Sequence, residues 1–345
     1  MNQSLSVSQL ASSPLPVENS PLMDHLSASR LSLWIKCPRA FQYRYVDGIP
    51  SPPNANLFLG KFIHGALEFY YRHRQLGIWL SWERLASHFS ALWNSCRAEE
   101  GFVFQSAEEE STLKAHATSL LYAYFERFSG RGSQGQQEGE SGSVTSGAES
   151  NHPPAPAPFT AIPPAQDPLS VLPLIQTSDS QATVPVTTSP LSKPLAVETS
   201  LESELMDPAT GDNLGMQLMG ILDLVENSPK GPVIIDFKTA ARATPPSPLA
   251  HEVQLTAYSY LFRQATGLQE SHLEIRQLIK TKTPKIAIHC FPPRTEVHFR
   301  RFFALVREYL EALARRQWNS RPSWNCGMCE YQERCCGEVG QREGV

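Results

Sequence analysis

The chain has 345 residues, 41% of them hydrophobic, and a formal net charge of −4. That length suits one large domain or two small ones. No apolar run nears the ~20 residues needed to cross a bilayer, and the start, Met1-Asn2-Gln3-Ser4, lacks the basic and apolar regions of a secretory leader, so a cytoplasmic location is expected. The overall acidity hides a basic half. Residues 229–316 carry 14 Lys or Arg against 7 Asp or Glu, a balance compatible with phosphate binding.

Residues 1–25 are rich in Ser and Pro and are expected to be disordered. A helical part follows over 26–128. Ser29 is read as the N-cap of a helix over 30–35, and Pro38 suits the first turn of a continuing helix. Apolar residues recur at helical spacing over 59–75, 82–96 and 108–128. Residues 129–192 hold 10 Pro, 11 Ser, 6 Gly and one aromatic, Phe159. Such a stretch cannot bury enough surface to offset its ordering entropy, so it reads as a disordered insertion.

The period then changes. Residues 195–201, 216–225 and 233–237 read as strands, 248–264 as a helix, 272–279 and 285–291 as strands, and 295–318 as a long helix. Together, 193–318 form an expected core, followed by a cysteine-rich tail over 319–345. The order of elements implies an α/β fold, a mixed sheet flanked by helices.

Asp223 falls near the end of one expected strand, while Asp236 and Lys238 close the next. Strand side chains alternate, so Asp236 and Lys238 share a face. Two carboxylates can hold Mg²⁺ or Mn²⁺, which polarises a phosphate and acidifies a bound water. A neighbouring lysine can then orient that water or offset developing charge. An Asp-x-Lys run alone is an ordinary strand-end pair, but its neighbours add to it. Gln254 and Tyr258 stand one turn apart on the next helix, as His64 and Glu68 do on an earlier one.

The order Gly60-x3-His64-x3-Glu68, Gly220-x2-Asp223, Asp236-x-Lys238, Gln254-x3-Tyr258 resembles the RecB-like branch of the PD-(D/E)xK nucleases. That group includes the nuclease domains of RecB and AddB and the CRISPR-associated RecB-like exonucleases. The resemblance spans residues 27–128 and 193–337 and implies a restriction-endonuclease-like core that cleaves DNA with Mg²⁺ or Mn²⁺. It makes His64, Asp223, Asp236 and the Phe237 carbonyl metal ligands and Lys238 the catalytic lysine. Gln254 and Tyr258 would position the DNA strand and that lysine, while Glu68 matches the pattern without an assigned task.

The seven cysteines are too few and too clustered for a disulfide scaffold, and in a reducing compartment such clusters more often bind metal. Cys326-x2-Cys329-x5-Cys335 is one thiolate short of a closed site, and Cys37 is the natural fourth. The set resembles the iron–sulfur nucleases of the same branch, which implies a [4Fe–4S] cluster stapling the two ends of the fold. Zinc remains a chemical alternative. Cys96 and Cys290 read as buried thiols. Arg276, Lys280, Lys282, Lys285, Arg294, Arg300, Arg301 and Arg307 are offered as contacts to the DNA backbone. Tyr43, Tyr45, Tyr70 and Tyr71 could stack on bases, but packing suits most of them better.

A competing class is a non-catalytic DNA-binding or metal-stapled scaffold that keeps the fold. The intact acid–acid–lysine set argues against it. No G-x-x-x-x-G-K-[ST] run is present, so a helicase would be a separate partner.

Overall fold

A computed structural model describes residues 25–52, 54–129, 193–242 and 248–336. The expectations of disorder at the N-terminus and over the Pro/Ser/Gly-rich insertion lie outside these residues, apart from His25 and Ser129 at their borders. Six strands form one mixed sheet: β1 (His25–Ser27), β2 (Ala196–Met206), β3 (Asn213–Ser228), β4 (Gly231–Ala240), β5 (His272–Ile279) and β6 (Lys285–Phe291). The path runs β1-β3-β4-β5-β6, with β2 antiparallel along the other edge of β3. This is the α/β architecture expected from the order of elements.

Strand β3 carries two partners on one edge. Its C-terminal half pairs with β4 from Leu224↔Ile235 to Ser228↔Gly231. Its N-terminal half pairs with β1, parallel, at residues 217–219. Residues 220–223 lie in the fork between them. Gly220 admits a close neighbour there, since an added Cβ would lie 2.8 Å from Leu261 Cδ1. The fork, rather than a strand end, is where Asp223 sits.

One sheet face, through Val233, Ile235, Phe237 and Leu278, packs on three helices: α3 (Ala55–Gln75), α4 (Trp82–Glu100) and α5 (Ala107–Phe128). The other face, through Leu222, Ile234, Leu273 and Ile275, packs on α6 (Pro248–Thr266). Helix α6 also joins α7 (Glu296–Ala314) and α1 (Ala28–Lys36) in a second core around Phe303 and Tyr309. Helix α7 ends at Ala314 rather than at the expected 318. Arg316 takes a left-handed φ of 50°, and Gln317 N–H turns back to the Ala312 carbonyl at 2.9 Å.

Ser27, not Ser29, caps α1, its hydroxyl accepting from Arg30 N–H at 3.2 Å. Cys37 then leaves the helical region, with φ −164° and ψ 108°, and Pro38 opens a second short helix, α2 (Pro38–Phe41). A π-helical turn over Gln42–Val46 follows. The tail docks on this segment: Tyr331 donates to the Ile49 carbonyl at 3.1 Å, and its ring meets Tyr43 at 5.5 Å. Among the described residues, no helix is long and apolar enough to cross a membrane.

Candidate active site

Strand β4 delivers Asp236 to the α6 face of the sheet and Phe237 to the α3 face. Asp236 is buried to 1% side-chain exposure and paired with Lys238 at 2.8 Å. Its Oδ1 also accepts from Gln254 Nε2 at 2.9 Å, and Gln254 reaches the Tyr258 hydroxyl at 2.8 Å. Gln254 thus touches the lysine's carboxylate partner rather than the lysine itself. Asp236 Oδ2, though close to the ammonium, accepts no well-directed hydrogen bond. A buried carboxylate oxygen with spare lone pairs suits a cation.

Asp223 stands across the fork. Its Oδ2 accepts from Phe237 N–H at 2.7 Å, replacing a ladder bond where β3 and β4 part. Helix α3 supplies His64, whose Nε2 lies 3.1 Å from the Phe237 carbonyl and whose Nδ1 lies 3.7 Å from Asp223 Oδ2. Two groups therefore adjoin at the fork: His64 and Asp223 around the Phe237 backbone, and Asp236 with Lys238, Gln254 and Tyr258. The charges of Asp236 and Lys238 act on Asp223 and His64 respectively.

Burial and the charge of Asp236 push the Asp223 carboxyl up to about 7. Burial alone would lower His64, but its hydrogen bond with Glu198 and the charges of Asp223 and Glu198 outweigh that and raise it. Burial first, then Asp236 and Asp223, push the Tyr258 hydroxyl well above its ordinary value, so it stays a neutral donor. The folded state therefore holds the Asp223 proton more tightly than the unfolded chain. In metal-free buffer, the stability tied to this proton is full below the unfolded value of 3.8. It falls as pH rises towards about 7 and is lost above that. Asp223→Asn should flatten this part of the profile in melting curves taken across that window. A wild-type profile parallel to that of the variant would contradict the assignment. His64 adds a slope of the same sign to both proteins.

The donor set fits a hard divalent cation. Carboxylate and carbonyl oxygens with one imidazole match Mg²⁺ or Mn²⁺. Within that set, His64 Nε2 donates to the Phe237 carbonyl at 3.1 Å.

The PD-(D/E)XK nuclease superfamily model matches residues 25–145 and 173–336, most of the chain. The chain belongs to the PD-(D/E)XK nuclease superfamily. This PD-(D/E)XK protein accordingly carries a phosphodiester-hydrolysing fold of a kind that typically uses divalent metal. It is similar to a solved structure of a candidate exonuclease from Eubacterium rectale, at 12% identity over 96% of this chain and 94% of that one, with a TM-score of 0.47. SSO0001 is similar at 19% identity over 39% of this chain and 57% of its own, with a TM-score of 0.29. No curated protein matches.

The sequence reading missed Glu198. In β2 this acid brings a carboxylate oxygen within 3.5 Å of His64 Nδ1. Glu198, Asp223 and His64 each offer a ligand atom within 4.8 Å of the others. Between Val197 and Thr199 it looks like an ordinary solvent-facing strand residue, so its local sequence carries no signal.

Several other expectations change. Arg276 is fully buried in an ion network and cannot reach a nucleic acid, and Arg294 is 4% exposed. Arg307 is held by Asp207 and Asp212, each at 2.9 Å. Lys282, Lys285, Arg300 and Arg301 remain exposed, while Lys280 is half-buried and donates to Asn56 Oδ1 at 2.5 Å. Tyr43, Tyr70 and Tyr71 are core residues. Cys96 is buried as expected, but Cys290 is exposed, because β6 is an edge strand.

The cysteines of the tail converge. Cys37, Cys326, Cys329 and Cys335 line one cavity of about 520 Å³, with Cys336 beside them. Cys37, Cys329 and Cys335 pack around Tyr43 and Tyr331. Ser323 N–H points at Cys326 Sγ, 3.4 Å away. Burial and the neighbouring thiols, Cys37 first, push the Cys335 thiol up, and Arg39 pulls it the other way.

Proposed function

We propose that this nuclease is a Mg²⁺- or Mn²⁺-dependent deoxyribonuclease of the RecB-like, iron–sulfur branch, acting on DNA ends or single strands in repair, recombination or related DNA processing. The observation that carries the reading is Asp236, buried between Lys238 and Gln254, with its charge acting on Asp223 across the fork in the sheet. His64, Asp223, Asp236 and the Phe237 carbonyl would hold the ion. When bound, the ion would polarise the scissile phosphate and make a bound water acidic enough to attack. Asp236 keeps the Lys238 ammonium at the site, where it aligns the water and offsets charge developing on the phosphate. Gln254 holds Asp236 Oδ1 beside the lysine, and the Tyr258 hydroxyl accepts from Gln254. The exposed basic residues would contact the DNA backbone, so binding should weaken as salt rises.

The experiment is cleavage of single- and double-stranded DNA, linear and circular, by metal-stripped protein given Mg²⁺ or Mn²⁺. Loss of linear substrate with circles spared supports action on ends. No cleavage of any form with either ion would sink the reading.

Cys37 and the tail thiols Cys326, Cys329 and Cys335, which line one cavity, would hold the [4Fe–4S] core. Zinc is the alternative for four thiolates. Such a cluster, supplied in a reducing compartment such as the cytoplasm, would lock the tail to α1 and α2. Protein purified without oxygen should contain iron and sulfide, and Cys37→Ser should lose both and melt earlier. Zinc in their place, or iron retained by the variant, would refute the cluster.

A further inference from the structure

We propose that Glu198 is part of the metal centre, a positioning residue that locks His64 for ligation. This rests on the reading of His64, Asp223 and Asp236 as a divalent-metal site. The two ring nitrogens of His64 face different partners. Nε2 donates to the Phe237 carbonyl at 3.1 Å, a bond that an ion held by both atoms would replace, while Nδ1 stands 3.5 Å from Glu198 Oε1. Asp223 Oδ2 is also near Nδ1, but it is already engaged by Phe237 N–H at 2.7 Å. Glu198 Oε1 is the nearer of the two carboxylate oxygens to Nδ1 and would accept its proton once Nε2 binds a cation. A carboxylate in that place fixes the tautomer, leaves the Nε2 lone pair for a cation and makes it more basic.

The backbone is bent to put it there. Glu198 has a φ of 39°, a left-handed value inside a strand. Its neighbours keep register, Val197 with Leu224 and Thr199 with Leu222, which sets Glu198 opposite Asp223. A non-glycine residue in that conformation is strained and persists only where its surroundings hold it.

What holds it comes from the same helix as His64. Arg72 Nη2 donates to the Glu198 carbonyl at 3.4 Å, and Glu68 Oε1 accepts from Arg72 Nε at 2.7 Å. His64, Glu68 and Arg72 are successive turns of one face of α3. The first meets the Glu198 side chain, and Arg72, held by Glu68, meets its backbone. Glu68, which had no task in the sequence motif, thereby acquires one.

The test is Mn²⁺ binding, followed by the EPR signal of free Mn²⁺, with the imidazole nitrogen coupling to bound Mn²⁺ read by pulsed EPR. Glu198→Ala should lower Mn²⁺ affinity by about 10–100-fold and weaken the nitrogen coupling. Glu198→Gln keeps an acceptor for the Nδ1 proton and should recover part of both. Glu198→Gly should lose affinity as alanine does while melting no lower than alanine without metal, because glycine accepts the positive φ. Variants that bind Mn²⁺ like the wild type, with full nitrogen coupling, would overturn the proposal. A wild type that binds no Mn²⁺ would overturn the metal-site reading beneath it as well.

Discussion

Replacing Lys238 with alanine should leave Mn²⁺ binding within a few-fold of wild type and lower the single-turnover cleavage rate by ~10²–10⁴-fold. The two effects separate because the ammonium is held by Asp236, at 2.8 Å, whereas the proposed ligands are His64, Asp223, Asp236 and the Phe237 carbonyl. Removing it frees Asp236 Oδ1 for a water and leaves Gln254 in place at 2.9 Å. Lys238 is one-third exposed, so its loss opens no cavity in the core. Asp236→Ala should behave differently and lose both the ion and the cleavage. If Lys238→Ala cleaves at the wild-type rate, the lysine has no part in the chemistry.

Arg276→Ala should be the most destabilising single change on the sheet, at about 3–5 kcal/mol by denaturant titration. Its guanidinium is fully buried and bridges Glu226 and Glu274, each at 2.9 Å. It also donates to the Tyr71 and Tyr124 hydroxyls at 3.2 and 3.0 Å. Arg74 holds the other oxygen of Glu226 at 3.0 Å. Alanine would leave Glu274 with only His272, at 3.1 Å, and leave Glu226 half-paired. Carboxylates stranded in an apolar interior cost far more than the pairs contribute when intact.

The damage should reach the site. Tyr71 stacks on Phe237 at 6.1 Å, and Tyr124 meets its edge at 5.7 Å. These rings fix the residue whose carbonyl faces His64. Weaker Mn²⁺ binding should therefore accompany the lower stability. A loss below about 1 kcal/mol would mean that the network relaxes around the missing arginine.

The sequence made the frame of this molecule legible. Strands over 272–279 and 285–291 match β5 and β6 because their apolar runs are bounded by polar turns. The candidate residues His64, Asp223, Asp236, Lys238, Gln254 and Tyr258 were singled out by the motif that the chain resembles, with helical and strand spacing behind three of its parts. What escaped depends on distant partners. Strand β1 has three residues, too few for a period, and exists through its pairing with residues 217–219. Its last residue, Ser27, caps α1 in place of the expected Ser29. Strand β3 runs to Ser228, past the expected end at 225, because its last polar residues pair with the start of β4. Arg276 looked like a surface cation, but its charge is neutralised by acids from β3 and β5. Glu198 was indistinguishable from a solvent-facing acid until its backbone angle and its place beside His64 were known.

The central claim is that the cluster in the fork between β3 and β4 is a catalytic metal centre. Its most direct test sets Mn²⁺ binding beside single-turnover DNA cleavage over the same range of Mn²⁺ concentration, for wild type and Asp236→Ala. The account predicts that wild-type cleavage rises together with occupancy of the bound ion and that the variant shows neither. Cleavage that persists in Asp236→Ala, or Mn²⁺ bound equally by both proteins, would contradict it.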